Sequence, residues 1–263
     1  MIGIFGAYCR GLFSYFLDLA GLLALTIKET QHLVHPARRK IFWMMFKRQL
    51  YNTGVRAIGI NTAIALIIGS LMMARLYAAL PPGKSMVEFY ANFFVIVVIR
   101  ELGPLISGVI LIARSATAIT AEIGHLKLYN EFEVLKAQQM SPVFIFLLPV
   151  FFAFPLSLLL MFIFFNAVSI SSAYLVILLD DPSLSFSVFL SAILAKVTAL
   201  EVVITLSKAL IGGSMVGLIS LHFSGRVAGR FTDISRAISS STTAQLIAFF
   251  TLNVVLSLMA YKL

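Results

Sequence analysis

Long apolar stretches separated by short polar breaks dominate the pattern of this 263-residue chain. Each stretch reaches or exceeds the roughly 20 residues with which an α-helix crosses a bilayer. The pattern therefore predicts five membrane-spanning helices, at about residues 55–80, 89–120, 143–179, 186–221 and 242–261. The second, third and fourth stretches are longer than a bilayer requires, so we expect tilts, breaks or helical extensions beyond the membrane.

A sixth apolar segment, residues 11–27, precedes these five. It differs from a signal peptide because Asp18 interrupts it and no small-residue cleavage site follows. A basic run follows instead, at residues 35–40. This order predicts a helix that lies in the membrane interface with its basic end at the cytoplasmic surface. One more spanning helix is the alternative.

A short amphipathic helix is predicted between the second and third apolar stretches. Leu128, Phe132 and Leu135 recur there at helical spacing, polar residues fill the other positions, and Pro142 closes the segment. On the cytoplasmic side such a helix either lies in the interface as padding or docks into a partner with its apolar stripe as the anchor.

Composition supports a membrane protein, since 60% of the residues are apolar and only 12% are charged. Soluble domains are about 45–50% apolar and about 25% charged. The net charge of +9 does not indicate nucleic-acid binding, because the basic residues lie at the ends of apolar stretches, where the positive-inside rule places them. This distribution predicts a cytoplasmic N-terminus and, after five crossings, a C-terminus outside.

No linker rich in proline or serine divides the chain, and no repeat relates its halves. We therefore predict one domain over residues 1–263, with an interfacial helix and basic segment at about 1–50 and a transmembrane bundle at about 51–263. The fold class is an all-α membrane protein with an N-terminal interfacial helix, five transmembrane helices and a short cytoplasmic coupling helix between the second and third.

The sequence offers no enzymatic or metal chemistry. Its single cysteine, Cys9, excludes an internal disulfide and a cysteine-based metal cluster. The four histidines are scattered, and no nucleophile elbow or phosphate-binding glycine loop is present. We predict neither a metal nor a cofactor in this chain. Uphill transport would then depend on an ATPase partner or on an ion gradient.

Charged residues inside the apolar stretches are functional candidates, because a charge in the membrane is costly. Three groups qualify: Arg100 with Glu101, Arg114 with Glu122, and Lys196 with Glu201 and Lys208. Pro104 follows the first group and removes a backbone donor, which would loosen the helix there. Glu201 and Lys208 share one helical face, so both can point into a bundle. For Arg114 and Glu122, ion pairing that pins helices together is the favoured explanation.

Several of these residues carry a resemblance to a known family. The segments Arg100-Glu101-Leu102-Gly103-Pro104, Ala113-Arg114-Ser115 and Thr120-Ala121-Glu122-Ile123-Gly124 resemble the core signature of the MlaE/YrbE permeases. Residues 48–55, 234–237 and 252–255 are also similar to that family, in the same order along the chain.

The resemblance implies the membrane permease of an ABC transporter in the bacterial inner membrane, with partners on both sides. A cytoplasmic ATPase would bind the coupling helix and hydrolyse ATP, and a ring of MCE proteins would lie on the periplasmic side. A second permease copy would complete a dimer, with a phospholipid or another lipid between the copies. Homodimer and related heterodimer both stay open, as do the lipid and the direction of transport.

The resemblance also implies two sets of functional residues. The expected lipid-binding residues are Arg100, Glu101, Lys208, Met72, Met73, Leu76 and Leu80. The expected ATPase-coupling residues are Leu128, Phe132, Glu133, Leu135, Lys136 and Gln139. Arg100 and Lys208 would hold a headgroup phosphate, and Glu101 would hold the arginine in place. Flexible methionines suit variable acyl chains, although core packing explains most single methionines.

The chain departs from the family pattern in the coupling region. Lys136 stands where an acidic residue is usual, Gln139 where glycine or alanine is usual, and Ser141 where aspartate is usual. Val150 replaces the arginine that commonly follows Pro149. We expect a correspondingly divergent ATPase, or a second permease type that pairs with this one.

Other functional classes give different predictions. An ion- or proton-coupled carrier would use Glu101, Glu201 and Lys196 as a relay and would act without an ATPase. A structural scaffold would anchor a partner and would tolerate loss of the intramembrane charges. An intramembrane hydrolase is the least supported class, because the sequence shows no nucleophile with a nearby base.

Overall fold

The computed structural model describes residues 2–78, 86–180, 182 and 184–261. All regular structure in these ranges is helical, which confirms an all-α protein. Five helical stretches are long and apolar enough to cross a membrane, which confirms the predicted number of spans. They are Pro36–Leu76, Phe89–Leu128, Val143–Leu179, Ala199–Ser224 and Phe231–Met259.

Eleven α-helices are assigned within the described ranges. The first six are α1 (Ile2–Glu29), α2 (Pro36–Thr53), α3 (Ile58–Ala78), α4 (Met86–Phe94), α5 (Gly103–Ile110) and α6 (Thr117–Leu128). The other five are α7 (Glu131–Ala137), α8 (Leu148–Asp180), α9 (Phe186–Leu194), α10 (Ala199–Ser224) and α11 (Phe231–Tyr261). Short 3₁₀ helices at Thr30–Val34 and Val55–Ala57 precede α2 and α3.

The N-terminal region is more helical than the hydrophobic pattern predicts. The helical stretch that contains the first apolar run begins earlier, at Pro36, because α2 continues through a single 3₁₀ turn into α3. Proline is well suited to the first position of a helix, where its missing N–H has no partner to lose. The placement of α1 in the membrane interface stays a prediction. The break between the first two predicted spans is described only from residue 86 onwards.

Three wide π-helical segments interrupt the second and third spans. They are Val95–Leu102, Leu111–Ala116 and Val143–Leu147. The first ends just before Pro104, which confirms the expected loosening of the helix at Arg100 and Glu101. Such segments are rare and concentrate at functional sites.

The predicted fourth helix, residues 186–221, is in fact two helices. The chain leaves helical geometry after Leu194, and α10 begins at Ala199. The side-chain hydroxyl of Thr198 accepts from the backbone N–H of Glu201, and the carboxylate of Glu201 accepts from the N–H of Thr198. This reciprocal arrangement is a capping box, which gives α10 a defined start. Hydrophobicity alone did not reveal the break, because the residues around it are apolar on both sides.

The chain forms two compact units, each assembled from three separated stretches. One, hereafter unit 1, comprises Met1–Asn52, Ile112–Phe154 and Ser214–Ile247. The other, unit 2, comprises Thr53–Leu111, Pro155–Gly213 and Ala248–Leu263. The core of unit 2 contains large buried side chains from four helices, among them Met73, Phe94, Phe165 and Phe189. A smaller cluster in unit 1 contains Val227, Ile234 and Ala237.

Candidate functional site

Four charged side chains meet in unit 2, within the membrane-spanning helices. A terminal guanidinium nitrogen of Arg100 lies 3.2 Å from the carboxylate of Glu201. The Nε atom of the same arginine lies 3.7 Å from a carboxylate oxygen of Glu101. The ammonium of Lys208 lies 3.1 Å from the other oxygen of Glu101. Two cations and two carboxylates thus form a cluster without net formal charge, which lowers the cost of charge at this depth. We call these four residues the charge cluster.

Lys208 is the most deeply buried member of the charge cluster, with only 1% of its side chain exposed. Besides Glu101, its ammonium donates to the backbone carbonyl of Arg100 at 3.1 Å. The lysine therefore ties α10 to the backbone of the second span as well as to its carboxylate.

Glu201 connects the charge cluster to the start of α10. One of its carboxylate oxygens accepts from Arg100, and the other accepts from the backbone N–H of Thr198 at 2.9 Å. Because the capping box fixes the position of this carboxylate, it also limits the positions open to the guanidinium. Lys196 lies in the break before α10 with an exposed side chain, and no ion pair joins it to the cluster within the described residues.

The structure adds residues that the sequence analysis missed. The hydroxyl of Ser257 on α11 lies within 3.0 Å of both oxygens of Glu101, and it can donate to either one. Nothing in the sequence separates this serine from the many others. The role of Thr198 could have been predicted from the sequence, because threonine followed three residues later by glutamate is the pattern of a capping box.

The apolar residues expected to line the lipid site lie mainly in the core of unit 2. Met73 is fully buried and Leu76 is 7% exposed, while Met72 packs against the same core from its edge. For Met73 and Leu76 the structure favours core packing over direct contact with a ligand. Leu80 lies outside the described residues.

A cavity of about 360 Å³ adjoins the charge cluster within unit 2. It lies between the Val95–Leu102 segment, α8, α9 and α10, and both Arg100 and Glu201 reach its wall. Among the expected lipid-binding residues that the structure describes, Arg100 alone lines this cavity.

The predicted coupling helix is present as α7 in unit 1, but its apolar stripe faces its own chain. The ring of Phe132 stacks on Phe146 at a centroid distance of 6.0 Å. Leu128 is the last residue of α6 rather than part of α7, and it packs against the small core cluster of unit 1. Leu135 is half-buried. The stripe is therefore partly covered by its own chain. Glu133, Val134 and Lys136 are exposed on α7, and Gln139 is exposed just after it.

Tight turns and one long-range contact fix the ends of α7. Asn130 before it and Gln139 after it adopt the left-handed conformation, with φ of 57° and 59°. Asparagine tolerates this conformation better than most residues. The hydroxyl of Ser141 donates to the carboxylate of Glu29 at the end of α1 over 2.9 Å. This contact holds the segment after α7 against the N-terminal helix.

Arg114 and Glu122 each contact α2 rather than each other. The guanidinium of Arg114 donates to the carbonyl of Asn52 at 3.3 Å. The carboxylate of Glu122 lies 3.6 Å from Arg48, and both side chains are largely exposed. Both residues therefore contact α2, through partners that the sequence did not identify, and a helix-pinning role stays a prediction. Among the described residues, no group of three histidine, cysteine or acidic side chains is placed to hold a metal ion.

Comparison with known proteins gives a consistent result. The family described as Permease MlaE matches residues 46–259, which is most of the chain. The chloroplastic protein TRIGALACTOSYLDIACYLGLYCEROL 1 of Arabidopsis thaliana is 21% identical over 240 residues, covering 89% of this chain and 67% of that protein. The intermembrane phospholipid transport system permease protein MlaE of Haemophilus influenzae is 28% identical over 146 residues. That match covers 54% of this chain and about half, 53%, of the Haemophilus protein.

Proposed function

Because this chain belongs to the MlaE permease family, we propose that it is the membrane subunit of an ATP-driven transporter that moves phospholipid or a related lipid. The transport would run between a bacterial inner membrane and a periplasmic MCE protein. The observation that carries the proposal is the charge cluster, which places an arginine beside a cavity within membrane-spanning helices. The printed description of the Haemophilus relative, a phospholipid transport permease, supports the same substrate class.

Arg100 is the member of the charge cluster best suited to hold a headgroup phosphate. Its planar guanidinium can bind two oxygens at once, which favours carboxylates and phosphates alike. It already lies between Glu101 and Glu201, so an arriving phosphate would replace one carboxylate rather than neutralise an isolated charge. Lys208 is buried against protein acceptors, so its contribution in this conformation is to hold Glu101 and the Arg100 carbonyl in place.

The exposed face of α7 is the proposed contact for a cytoplasmic ABC ATPase. It offers charged and amide groups around Val134, whose side chain is 56% exposed. Because Phe132 is packed on Phe146, a push on α7 would pass directly into the first turns of the third span. ATP hydrolysis takes place in the partner subunit in this scheme, and the permease chain supplies no nucleotide site.

The remaining partners and the orientation belong to the same proposal. The basic residues of the N-terminal segment support a cytoplasmic N-terminus and a periplasmic C-terminus. A second permease copy, identical or related, would complete the transporter, and an MCE ring would receive or deliver the lipid.

Affinity purification of the chain from its native membranes in mild detergent tests this assignment. Mass spectrometry would identify the proteins and lipids that accompany it. We expect an ABC ATPase, an MCE protein and a stoichiometric phospholipid. A chain purified alone and free of lipid would contradict the proposal and would direct attention to an ion-coupled carrier that uses the charge cluster.

A further inference from the structure

The cavity beside the charge cluster has the character of a site for an amphiphile. Its wall is almost entirely apolar and includes Val95, Ile99, Phe162, Ile193, Val202 and Leu206. A volume of about 360 Å³ falls within the roughly 300–1,000 Å³ typical of small-molecule sites. Apolar cavities of this kind stay dry and accept apolar ligands.

Four of the residues that line the cavity are polar or charged: Arg100, Asn166, Glu201 and Thr205. Arg100 and Glu201 meet there as an ion pair, and Thr205 donates its hydroxyl proton to the backbone carbonyl of Glu201. Asn166 also lines the wall, and its buried side-chain oxygen has no hydrogen-bond partner among the described residues. The ion pair of Arg100 and Glu201 is therefore the charged feature that a ligand in the cavity would meet.

The surroundings of the cavity identify its occupant. Its wall includes residues of α8 and α10, both of which belong to membrane-spanning stretches. Several of the lining side chains are also exposed on the surface of unit 2, among them Ile163 at 53% and Val202 at 45%. The medium that meets these side chains in a bilayer is lipid acyl chain rather than water.

We propose that this cavity holds one acyl chain of the transported lipid within a single permease chain, with the lipid phosphate at Arg100. The site lies inside one copy and is distinct from a pocket between two copies. This inference rests on the proposed lipid transport for the identity of the ligand. The apolar wall accepts the chain, and the Arg100–Glu201 ion pair meets the headgroup end.

Two adjacent valines on α10 allow a matched test. Val202 lines the cavity, whereas Val203 does not, and their side chains are exposed to similar extents, 45% and 58%. Tryptophan at position 202 would block the cavity, while tryptophan at position 203 would face the surrounding lipid. Thr205→Phe provides a second blocked variant, since Thr205 is 6% exposed on the cavity wall.

The experiment uses the purified complex in nanodiscs with a phosphatidylethanolamine that carries a diazirine in one acyl chain. Illumination should crosslink the probe to cavity-lining peptides of α8 and α10. We expect Val202→Trp and Thr205→Phe to lower that labelling by about tenfold, the effect of losing burial of roughly two methylenes. Val203→Trp should label like the unmodified protein.

Equal labelling in all variants, or labelling spread over the exposed faces without enrichment at the cavity, would overturn the inference. ATP-dependent lipid transfer measured on the same preparations separates this failure from that of the proposed function. Transfer without cavity labelling rejects the acyl-chain site alone. Cavity labelling without any ATP-dependent transfer supports the site and rejects the transport assignment.

Discussion

The ammonium of Lys208 donates a hydrogen bond of 3.1 Å to the backbone carbonyl of Arg100. This bond joins α10 to the backbone of the second span within its π-helical segment. The same ammonium pairs with Glu101, whose carboxylate also contacts Ser257 on α11. One buried lysine thus ties together three membrane-spanning helices at the point where the arginine is presented.

Removal of this lysine should destabilise the protein. Lys208→Met keeps the length of the side chain but leaves Glu101 without its cation, and we expect a loss of about 3 kcal/mol in unfolding free energy. The measurement is thermal or denaturant unfolding in detergent. The double variant Lys208→Met with Glu101→Gln should recover much of the loss, because no uncompensated carboxylate remains. An unchanged unfolding free energy in Lys208→Met would show that the pair of Lys208 and Glu101 does not contribute to stability.

Two substitutions distinguish the contribution of the capping box from that of the ion pair between Glu201 and Arg100. Thr198→Ala removes one capping bond and should cost about 1 kcal/mol of stability with little effect on lipid transfer. Glu201→Gln also removes a charge-assisted bond to Arg100, worth about 1.5–3 kcal/mol, and should lower lipid transfer by about tenfold or more. Parallel measurement of unfolding and of lipid transfer tests both. Equal transfer defects in the two variants would mean that only the start of α10 matters.

Close packing of two glycines beneath Phe249 provides a test of the fold of unit 2. A Cβ added at Gly108 would lie 2.1 Å from the ring of Phe249, and one added at Gly212 would lie 2.7 Å from it. Because the ring is fully buried, Gly108→Ala should cost about 1–3 kcal/mol through overpacking. Adding Phe249→Leu should relieve part of this cost. Gly59→Ala is the control, since its Cβ would meet nothing within 4 Å, and its melting temperature should not fall.

The two faces of α7 should respond differently to substitution. Phe132→Ala removes the stacking on Phe146, and a half-buried ring should cost about 1–2 kcal/mol, less than the 3–5 kcal/mol of a core phenylalanine. Val134→Asp changes only the exposed face, so unfolding should be unaffected while the amount of co-purifying ATPase falls. Loss of stability in Val134→Asp, or full ATPase recovery with it, would contradict the assigned orientation of the helix.

The number of spans could be predicted from the sequence because hydrophobic length alone decides whether a helix can cross a bilayer. The importance of Arg100, Glu101 and Lys208 was also predictable, since a charge in an apolar stretch requires compensation. Which of these charged side chains pair with each other could not be predicted, because the pairing depends on which turns of separate helices meet. The contact of Ser257 with Glu101 depends only on where the fold places the serine, and no sequence pattern identifies it.

The orientation of α7 shows a second limit of sequence reasoning. The spacing of Leu128, Phe132 and Leu135 predicts an amphipathic helix, but periodicity does not say whether the apolar face meets a partner or the same chain. The break before α10 was missed for a related reason. Hydropathy is insensitive to a capping box, whereas the Thr198 and Glu201 pattern would have predicted it.

In the proposed mechanism this chain carries lipid through an ATP-driven cycle that depends on Arg100. The most direct test is transfer of a fluorescent phospholipid by the purified complex in proteoliposomes, with and without ATP. Arg100→Ala would be compared with Arg75→Ala, a change at an exposed arginine of α3 outside the charge cluster. We predict ATP-dependent transfer that Arg100→Ala reduces by about tenfold or more and that Arg75→Ala leaves intact. Lipid transfer that is absent, independent of ATP or equal in the two variants would contradict ATP-driven transport through Arg100.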